Sequence, residues 1–221
     1  MRAPPTLLER VELGRPDGFW EGHLADGREQ ALRRLLAWME PLDGLEVLDA
    51  GCGHGTVAVE LARRGARVVA CDRAVDRALS TRRRAERAGV GLAVVAADLV
   101  AAAALCGKPM TWVCWELFEH LAFAERRTLL RAMEESRASA LYFAVRVESR
   151  LGSLVGPLVG RGRPDAVADG EPGATLRTLD PVPLLREIHL ETDLRLERTE
   201  TLRRRNSGIA IAQMRRPRAV P

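Results

Sequence analysis

The sequence predicts an α/β fold with a mostly parallel sheet that is covered by helices on both faces. Short, almost continuously apolar segments alternate with amphipathic segments over residues 46–148, as in parallel sheets whose strands are buried on both sides. A glycine-rich turn, from Gly51 to Gly55, separates the first apolar segment from the first amphipathic one. The length of 221 residues suits a single domain with one sizeable core.

Hydrophobic periodicity gives the order of the elements. An opening helix is predicted over residues 25–39, and Pro41 with Gly44 ends it. Gly65 and Gly89 close two later helices, because glycine occupies a helix C-terminus without a steric penalty from a Cβ atom. Strands are predicted at residues 46–51, 66–72, 90–99, 111–117 and 139–148, with helices at 56–65, 73–89 and 123–136.

The pattern changes after residue 148. Residues 149–178 are rich in Gly, Pro and Arg, which is typical of an insertion. A helix with Pro181 in its first turn is then expected over 180–190, followed by two closing strands at 194–202 and 208–216. The predicted single domain therefore divides into a helical cap at 1–45, a core at 46–148, the insertion at 149–178 and a closing segment at 179–221.

Composition excludes several classes of protein. The net charge is +4, but acidic residues are interleaved with the arginines, and Lys108 is the only lysine, so a dedicated nucleic-acid surface is disfavoured. The four cysteines form no C-x-x-C pair, and Cys71 and Cys114 lie in apolar runs, which favours buried thiols over a disulfide framework or a metal site. The sequence shows neither a membrane span nor a signal peptide, and we expect a cytoplasmic, soluble protein.

The glycine turn carries the functional signal. A strand, a glycine turn and a helix place backbone N–H groups at the carboxyl edge of a parallel sheet, where open α/β sheets bind ligands. The spacing is G-x-G-x-G from Gly51 to Gly55, directly after Asp49. This spacing does not fit the G-x-G-x-x-G of dinucleotide-binding domains, and the chain has no G-K-[ST] phosphate loop at this turn.

The segment "VLDAGCGHGTVAVELARRGARVVACD" resembles motif I of the class I S-adenosylmethionine-dependent methyltransferases. The resemblance covers about residues 25–148 and implies a Rossmann-like, seven-stranded sheet with an antiparallel last strand and S-adenosylmethionine as cofactor. It implies that Asp72 grips the ribose hydroxyls, which suits a carboxylate because its two oxygens accept together, and that Asp98 lies beside the adenine. The cofactor-binding residues that it implies are Asp49, Gly51, Cys52, Gly53, Gly55, Asp72, Arg73, Asp98, Leu99 and Trp115.

The end of the fourth strand is the predicted acceptor side. The segment "WELFEHL" places Glu116, Glu119 and His120 at the carboxyl edge, and it looks like the "EVLEH" of ubiquinone-biosynthesis-type O-methyltransferases. These three residues are the candidate catalytic groups, with His120 as general base for a protonated acceptor. The alternative is that Glu119 and His120 only serve the first turn of the following helix. The resulting interpretation is methyl transfer to an oxygen of a small molecule.

Three alternative functions stay open. A weaker resemblance to magnesium-protoporphyrin O-methyltransferases implies carboxyl methylation of a tetrapyrrole, an acceptor that needs no base. In that case Arg146, Arg150, Arg161 or Arg163 would pair with the acid. An RNA methyltransferase is disfavoured by the few aromatic residues, and an amino-group methylase of nucleic acid by the missing N/D-P-P-[YFW] turn. A non-catalytic partner subunit is disfavoured by the intact loop and acids.

Overall fold

The computed structural model describes residues 28–101, 110–148, 178–203 and 207–217. Nearly all of the predicted insertion and the turn between the closing strands lie outside the described residues. The same holds for the first residues of the predicted cap. The boundaries of the cap and of the insertion therefore stay predictions.

Seven strands form one sheet, in the order β3-β2-β1-β4-β5-β7-β6. Neighbouring strands from β1 to β5 are parallel, while β7 is antiparallel to both β5 and β6. The predicted fold, with its antiparallel last strand, is confirmed. The strands are β1 (Glu46–Ala50), β2 (Arg67–Asp72), β3 (Ala93–Ala96), β4 (Thr111–Trp115), β5 (Ala140–Glu148), β6 (Arg195–Arg203) and β7 (Ser207–Arg215).

Helices cover both faces of the sheet. One face packs in a core with α1 and α2, and the opposite face packs in a second core with α4 and α5. Helix α3 lies beside β2 and β3 and also contacts α2. The helices of the described segments are α1 (Arg28–Met39), α2 (Thr56–Arg63), α3 (Val75–Ala88), α4 (Phe123–Glu135) and α5 (Pro181–Glu191), and a 3₁₀ turn spans Phe118–His120.

Two of the predicted helix ends are found in the structure, and each has a local chemical cause. Gly89 follows α3 in the left-handed conformation, with φ of 66°. At α5, Pro181 is the first helical residue and the Asp180 carboxylate accepts a hydrogen bond from Val182 N at 2.9 Å. Such an N-terminal cap satisfies one of the backbone N–H groups that a helix leaves without a partner.

The third strand is shorter than predicted. Residues 90–99 were expected to be extended, but β3 ends at Ala96. The Asp98 side chain accepts a hydrogen bond from Val100 N at 2.8 Å, and Leu99 already has helical geometry. An aspartate that bonds the backbone two residues later offers the chain a turn in place of the strand ladder.

Among the helices of the described segments, none is both long and apolar enough to cross a bilayer.

Candidate active site

The glycine turn, residues 51–55, joins the end of β1 to the start of α2. The φ angles of Gly51, Gly53 and Gly55 are 72°, 54° and 79°, a region that side chains with a Cβ atom rarely adopt. The N–H groups of Gly51 and Cys52 both donate to the Cys71 carbonyl, at 2.8 and 2.9 Å. The turn is therefore fixed against the carboxyl end of β2.

The three glycines differ in what surrounds them. A Cβ atom at Gly51 would lie 2.7 Å from Leu117 Cδ1, and one at Gly55 would lie 2.7 Å from Thr81 Cγ2. These two glycines are required by packing within the protein. A Cβ atom at Gly53 would meet none of the described atoms within 4 Å, so this glycine borders open space.

Asp72 ends β2 beside the turn, and its side chain is 6% exposed. Oδ2 accepts a hydrogen bond from Gly53 N and Oδ1 accepts one from Ala74 N, both at 2.9 Å. A carboxylate oxygen can accept two donors. Each Asp72 oxygen thus keeps the capacity for a further donor while it positions the turn.

Asp49 lies inside β1 and is 1% exposed. Neither carboxylate oxygen has a hydrogen-bond partner among the described residues. Burial raises the pKa of Asp49 to about 7, and the nearby Asp72 charge adds to this shift. The Ala58 backbone N–H lowers the pKa, although it does not reach hydrogen-bonding geometry. An orphaned buried carboxylate is rare in folded proteins and fits a place where a ligand donates.

Arg73, Asp98 and Leu99 lie at the same edge of the sheet. The Asp98 side chain is exposed and its Oδ1 is used by the local turn with Val100 N. The guanidinium of Arg73 is 76% exposed, and its Nη1 lies 3.8 Å from Glu125 Oε1 at the start of α4. Leu99 is partly buried against the core. The structure therefore places these three residues at the carboxyl ends of β2 and β3.

The end of β4 carries an ion cluster. Glu116 has a left-handed φ of 51° although it is not glycine. Its Oε1 accepts from Arg28 Nε at 2.7 Å and its Oε2 accepts from Arg146 Nε at 2.8 Å, while a second Arg28 nitrogen also contacts Oε2. The Glu116 side chain is 8% exposed. Two arginines, one from α1 and one from β5, therefore hold Glu116. The preceding residue, Trp115, is half-buried.

Glu119 and His120 lie in the 3₁₀ turn between β4 and α4. Glu119 is 5% exposed and its Oε1 accepts from Arg146 N at 3.3 Å, whereas His120 is exposed. The N-terminus of α4 is capped by Glu125, whose Oε2 accepts from Ala122 N at 2.6 Å. Helix α4 begins at Phe123, so Glu119 and His120 lie before its first turn, in the 3₁₀ segment.

Residues 47–137 match a family described as a methyltransferase domain. The match covers the glycine turn, both acids of β1 and β2 and the end of β4, which are the parts that the geometry brings to one edge. This match, the curated relatives and the shared fold support a class I S-adenosylmethionine-dependent methyltransferase. The predicted family and its cofactor, S-adenosylmethionine, are confirmed.

Two curated methyltransferases are similar in sequence to part of this chain. A ubiquinone biosynthesis O-methyltransferase from Methylocella silvestris is 40% identical over 97 residues, which are 42% of this chain and 37% of that protein. A magnesium-protoporphyrin O-methyltransferase from Rhodobacter capsulatus is 50% identical over 48 residues, which are 21% of each chain. The matched segments thus span less than half of the length of these relatives.

Among solved structures, the magnesium protoporphyrin IX methyltransferase from Synechocystis PCC 6803 with bound SAH has the same fold. Its TM-score is 0.70 at 21% sequence identity, and the superposition covers 95% of this chain and 94% of that chain. The likeness shows that the methyltransferase fold extends beyond the segment matched by the family. It includes the elements after residue 137.

The surroundings of the glycine turn also contain residues that the sequence did not indicate. Thr81 and Arg84 on α3 contact the glycine turn and the start of α2: Thr81 Oγ1 donates to Gly53 O at 2.8 Å and Arg84 Nη1 donates to Thr56 Oγ1 at 2.9 Å. Both are almost completely buried. Their spacing of three residues, next to the buried Ala78 and Ala85 on one helical face, is the signal that could have indicated them.

The cysteines behave as buried thiols in the described part of the chain. Cys52, Cys71 and Cys114 are buried thiols, and the Cys71 Sγ donates to Ala97 O at 3.3 Å. Burial, together with the nearby Asp49 charge, raises the pKa of the Cys52 and Cys114 thiols well above the usual range. In the described residues, no group of His, Cys, Asp and Glu side chains could hold a metal ion.

Proposed function

We propose that the protein transfers a methyl group from S-adenosylmethionine to an oxygen atom of a small molecule. The observation that carries this proposal is the convergence of three features at one sheet edge. Gly53 borders open space, Asp72 keeps acceptor capacity, and the buried Asp49 has no partner among the described residues. An oxygen acceptor is supported by the similarity to the ubiquinone biosynthesis O-methyltransferase.

The residues fit S-adenosylmethionine in their chemistry. The space beside Gly53 suits the close approach of a ligand to the backbone. The two Asp72 oxygens would accept from the ribose hydroxyls, and Asp49 would accept from the amino group of the methionine part. Asp98 would lie by the adenine. Arg73, Leu99, Cys52 and Trp115 would complete the walls, with Gly51 and Gly55 shaping the turn.

When bound, the cofactor would supply a methyl group on a sulfonium for transfer to an acceptor oxygen, with S-adenosylhomocysteine as the leaving group. The protein must hold that oxygen about 3 Å from the methyl carbon and exclude water. We assign the acceptor side to the end of β4, where Glu116 is fixed by Arg28 and Arg146. The exposed His120 imidazole would take the proton of a hydroxyl acceptor.

A second candidate acceptor is a carboxyl group of a tetrapyrrole. It is favoured by the fold shared with the magnesium protoporphyrin IX methyltransferase over nearly the whole length of both chains. A carboxylate is ionised at neutral pH and needs no base. Arg146, which this alternative assigned to the acid, already pairs with Glu116, and Arg150, Arg161 and Arg163 lie outside the described residues.

The test uses S-adenosylmethionine with a labelled methyl group, incubated with separate pools of small metabolites, tetrapyrroles, RNA and protein. Transfer into the small-metabolite pool that resists alkali excludes a methyl ester, and an NMR shift of the new methyl carbon typical of a methoxy group supports an ether product. Release of volatile methanol by alkali would instead show a carboxyl ester. Label found only in RNA or protein would contradict the proposal. The cytoplasmic location that the sequence suggests is a separate matter, and it stays a prediction.

The role of His120 is tested once an acceptor is identified. For a hydroxyl acceptor, His120→Ala should lower the rate by about 10²- to 10⁴-fold between pH 6 and 9, because a positioned base is removed. His189→Ala is the matched control, since His189 is exposed on α5. An undiminished rate in His120→Ala over that range would show that His120 is not the base.

A further inference from the structure

One stretch of α3 is built against the glycine turn. Thr81 and Arg84 bond to backbone and side-chain atoms of Gly53 and Thr56, and Ser80 Oγ lies 3.1 Å from His54 Nδ1. These contacts reach across 26 to 28 residues of sequence. The turn is thus held from behind by a helix that follows β2.

Thr81 makes the central contact. It is 0% exposed, and its Oγ1 donates to the Gly53 carbonyl at 2.8 Å. Its side chain also fills the space that a Cβ atom at Gly55 would need, with Cγ2 and Oγ1 at 2.7 and 2.8 Å from that position. The hydroxyl therefore fixes the Gly53 peptide, and both the hydroxyl and the methyl group pack under Gly55.

Gly53 is consequently bonded on both sides. Its N–H donates to Asp72 Oδ2 at 2.9 Å, and its C=O accepts from Thr81. A turn with three glycines has many accessible conformations, so it loses much conformational entropy when it adopts one of them. Two side chains from outside the turn select the conformation in which Gly53 borders the open space.

We propose that Thr81 is a positioning residue that keeps the glycine turn in the conformation that accepts S-adenosylmethionine, an inference that rests on the proposed function. Without its hydroxyl, the free protein populates this conformation only in part. The apparent affinity for the ligand then falls in proportion to the fraction of the protein that is in this conformation. The side chain is buried behind the turn, so it acts through Gly53.

The test measures the dissociation constant of S-adenosylhomocysteine by calorimetry for the wild type, Thr81→Val and Thr81→Ser. Thr81→Val keeps the shape and removes the donor, and we expect about tenfold weaker binding, the loss that one ordinary hydrogen bond produces. Thr81→Ser restores the donor and should bind within about twofold of the wild type. If Thr81→Val does not fold, Thr81→Ala replaces it, because alanine adds no bulk at this position.

Thr192→Val is the matched control. Thr192 is 7% exposed and its Oγ1 donates to Ile188 O at 2.8 Å, after α5. This variant should lower the melting temperature without changing the dissociation constant. The inference on Thr81 would be overturned if the wild type and Thr81→Val bound with equal affinity, or if Thr81→Ser bound as weakly as Thr81→Val. Either result would leave the proposed function intact. A wild type that does not bind S-adenosylhomocysteine would overturn the proposed function as well.

Discussion

At the residue scale, Asp72 combines two roles. It positions the turn through hydrogen bonds from Gly53 N and Ala74 N, and it is proposed to hold the ribose. We expect Asp72→Ala to weaken the binding of S-adenosylhomocysteine by about tenfold or more, since hydrogen bonds to a charged group contribute about 1.5 to 3 kcal/mol. Calorimetry measures the change. Asp76→Ala, at an exposed carboxylate in the first turn of α3, should leave the affinity unchanged. The assignment of Asp72 fails if both variants bind like the wild type.

Gly53 and Gly89 provide a matched pair of substitutions. Both have positive φ, 54° and 66°, and neither has a described atom within 4 Å of an added Cβ. Gly53→Val and Gly89→Val should therefore lower stability by a similar amount, on the order of 1 to 3 kcal/mol. Only Gly53→Val should abolish cofactor binding, because its side chain would enter ligand space. Circular dichroism and calorimetry together check this, and an unfolded Gly53→Val protein would show that Gly53 is needed for folding.

Asp49 makes the stability of the ligand-free protein depend on pH. Burial raises its pKa from 3.8 to about 7, so the folded state favours the protonated form. The resulting stabilisation is complete below pH 3.8 and is lost as the pH rises through about 7. Relative to Asp49→Asn, the free energy of unfolding of the wild type should fall by about 4 kcal/mol across this window. Urea unfolding at several pH values measures it, and parallel curves for the two proteins would contradict the shift.

At the element scale, α1 is attached to the sheet mainly through its apolar face. Leu35 is 0% exposed in the core that α1 shares with β5 and β7. We expect Leu35→Ala to lower the free energy of unfolding by about 2 to 5 kcal/mol, because truncation leaves a cavity. Arg33→Ala, at a half-exposed ion pair on the same helix, should cost less than about 1 kcal/mol. Denaturant unfolding compares them, and similar losses would contradict this account of α1.

The contacts of α1 and α3 also decide the shape of the site. Arg28 joins α1 to Glu116 at the end of β4, and Thr81 joins α3 to the glycine turn. The helices are therefore parts of the site as well as covers of the sheet. Residues on the glycine turn have the conformation that these neighbours allow.

At the scale of the whole molecule, the net charge of +4 is the basis for any contact with nucleic acid. Binding to RNA or DNA, if measured, should be independent of sequence and should disappear between about 50 and 200 mM salt, because counterion release would drive it. Filter binding of a structured RNA and of random DNA across this range tests the expectation. Tight, salt-resistant binding of a defined RNA would contradict a small-molecule acceptor.

The sequence by itself determined the order of the elements, the parallel sheet, the closing strands and the residues of the glycine turn. These features depend on local periodicity and on glycine and proline at element ends, which are visible within a few neighbouring residues. Asp49 and Asp72 were indicated by the resemblance of this segment to motif I of the methyltransferases, and each stands in an apolar strand beside the turn. The exact end of β3 was missed because one aspartate side chain turns the backbone there.

Only the tertiary structure decided how the site is held together. Arg28 and Glu116 are 88 residues apart, and Thr81 and Gly53 are 28 apart. Hydrogen bonds over such separations depend on how α1 and α3 pack on the sheet, so no local pattern encodes them. The same packing leaves Asp49 without a partner among the described residues and raises its pKa, because burial is a property of the folded chain and not of a residue type.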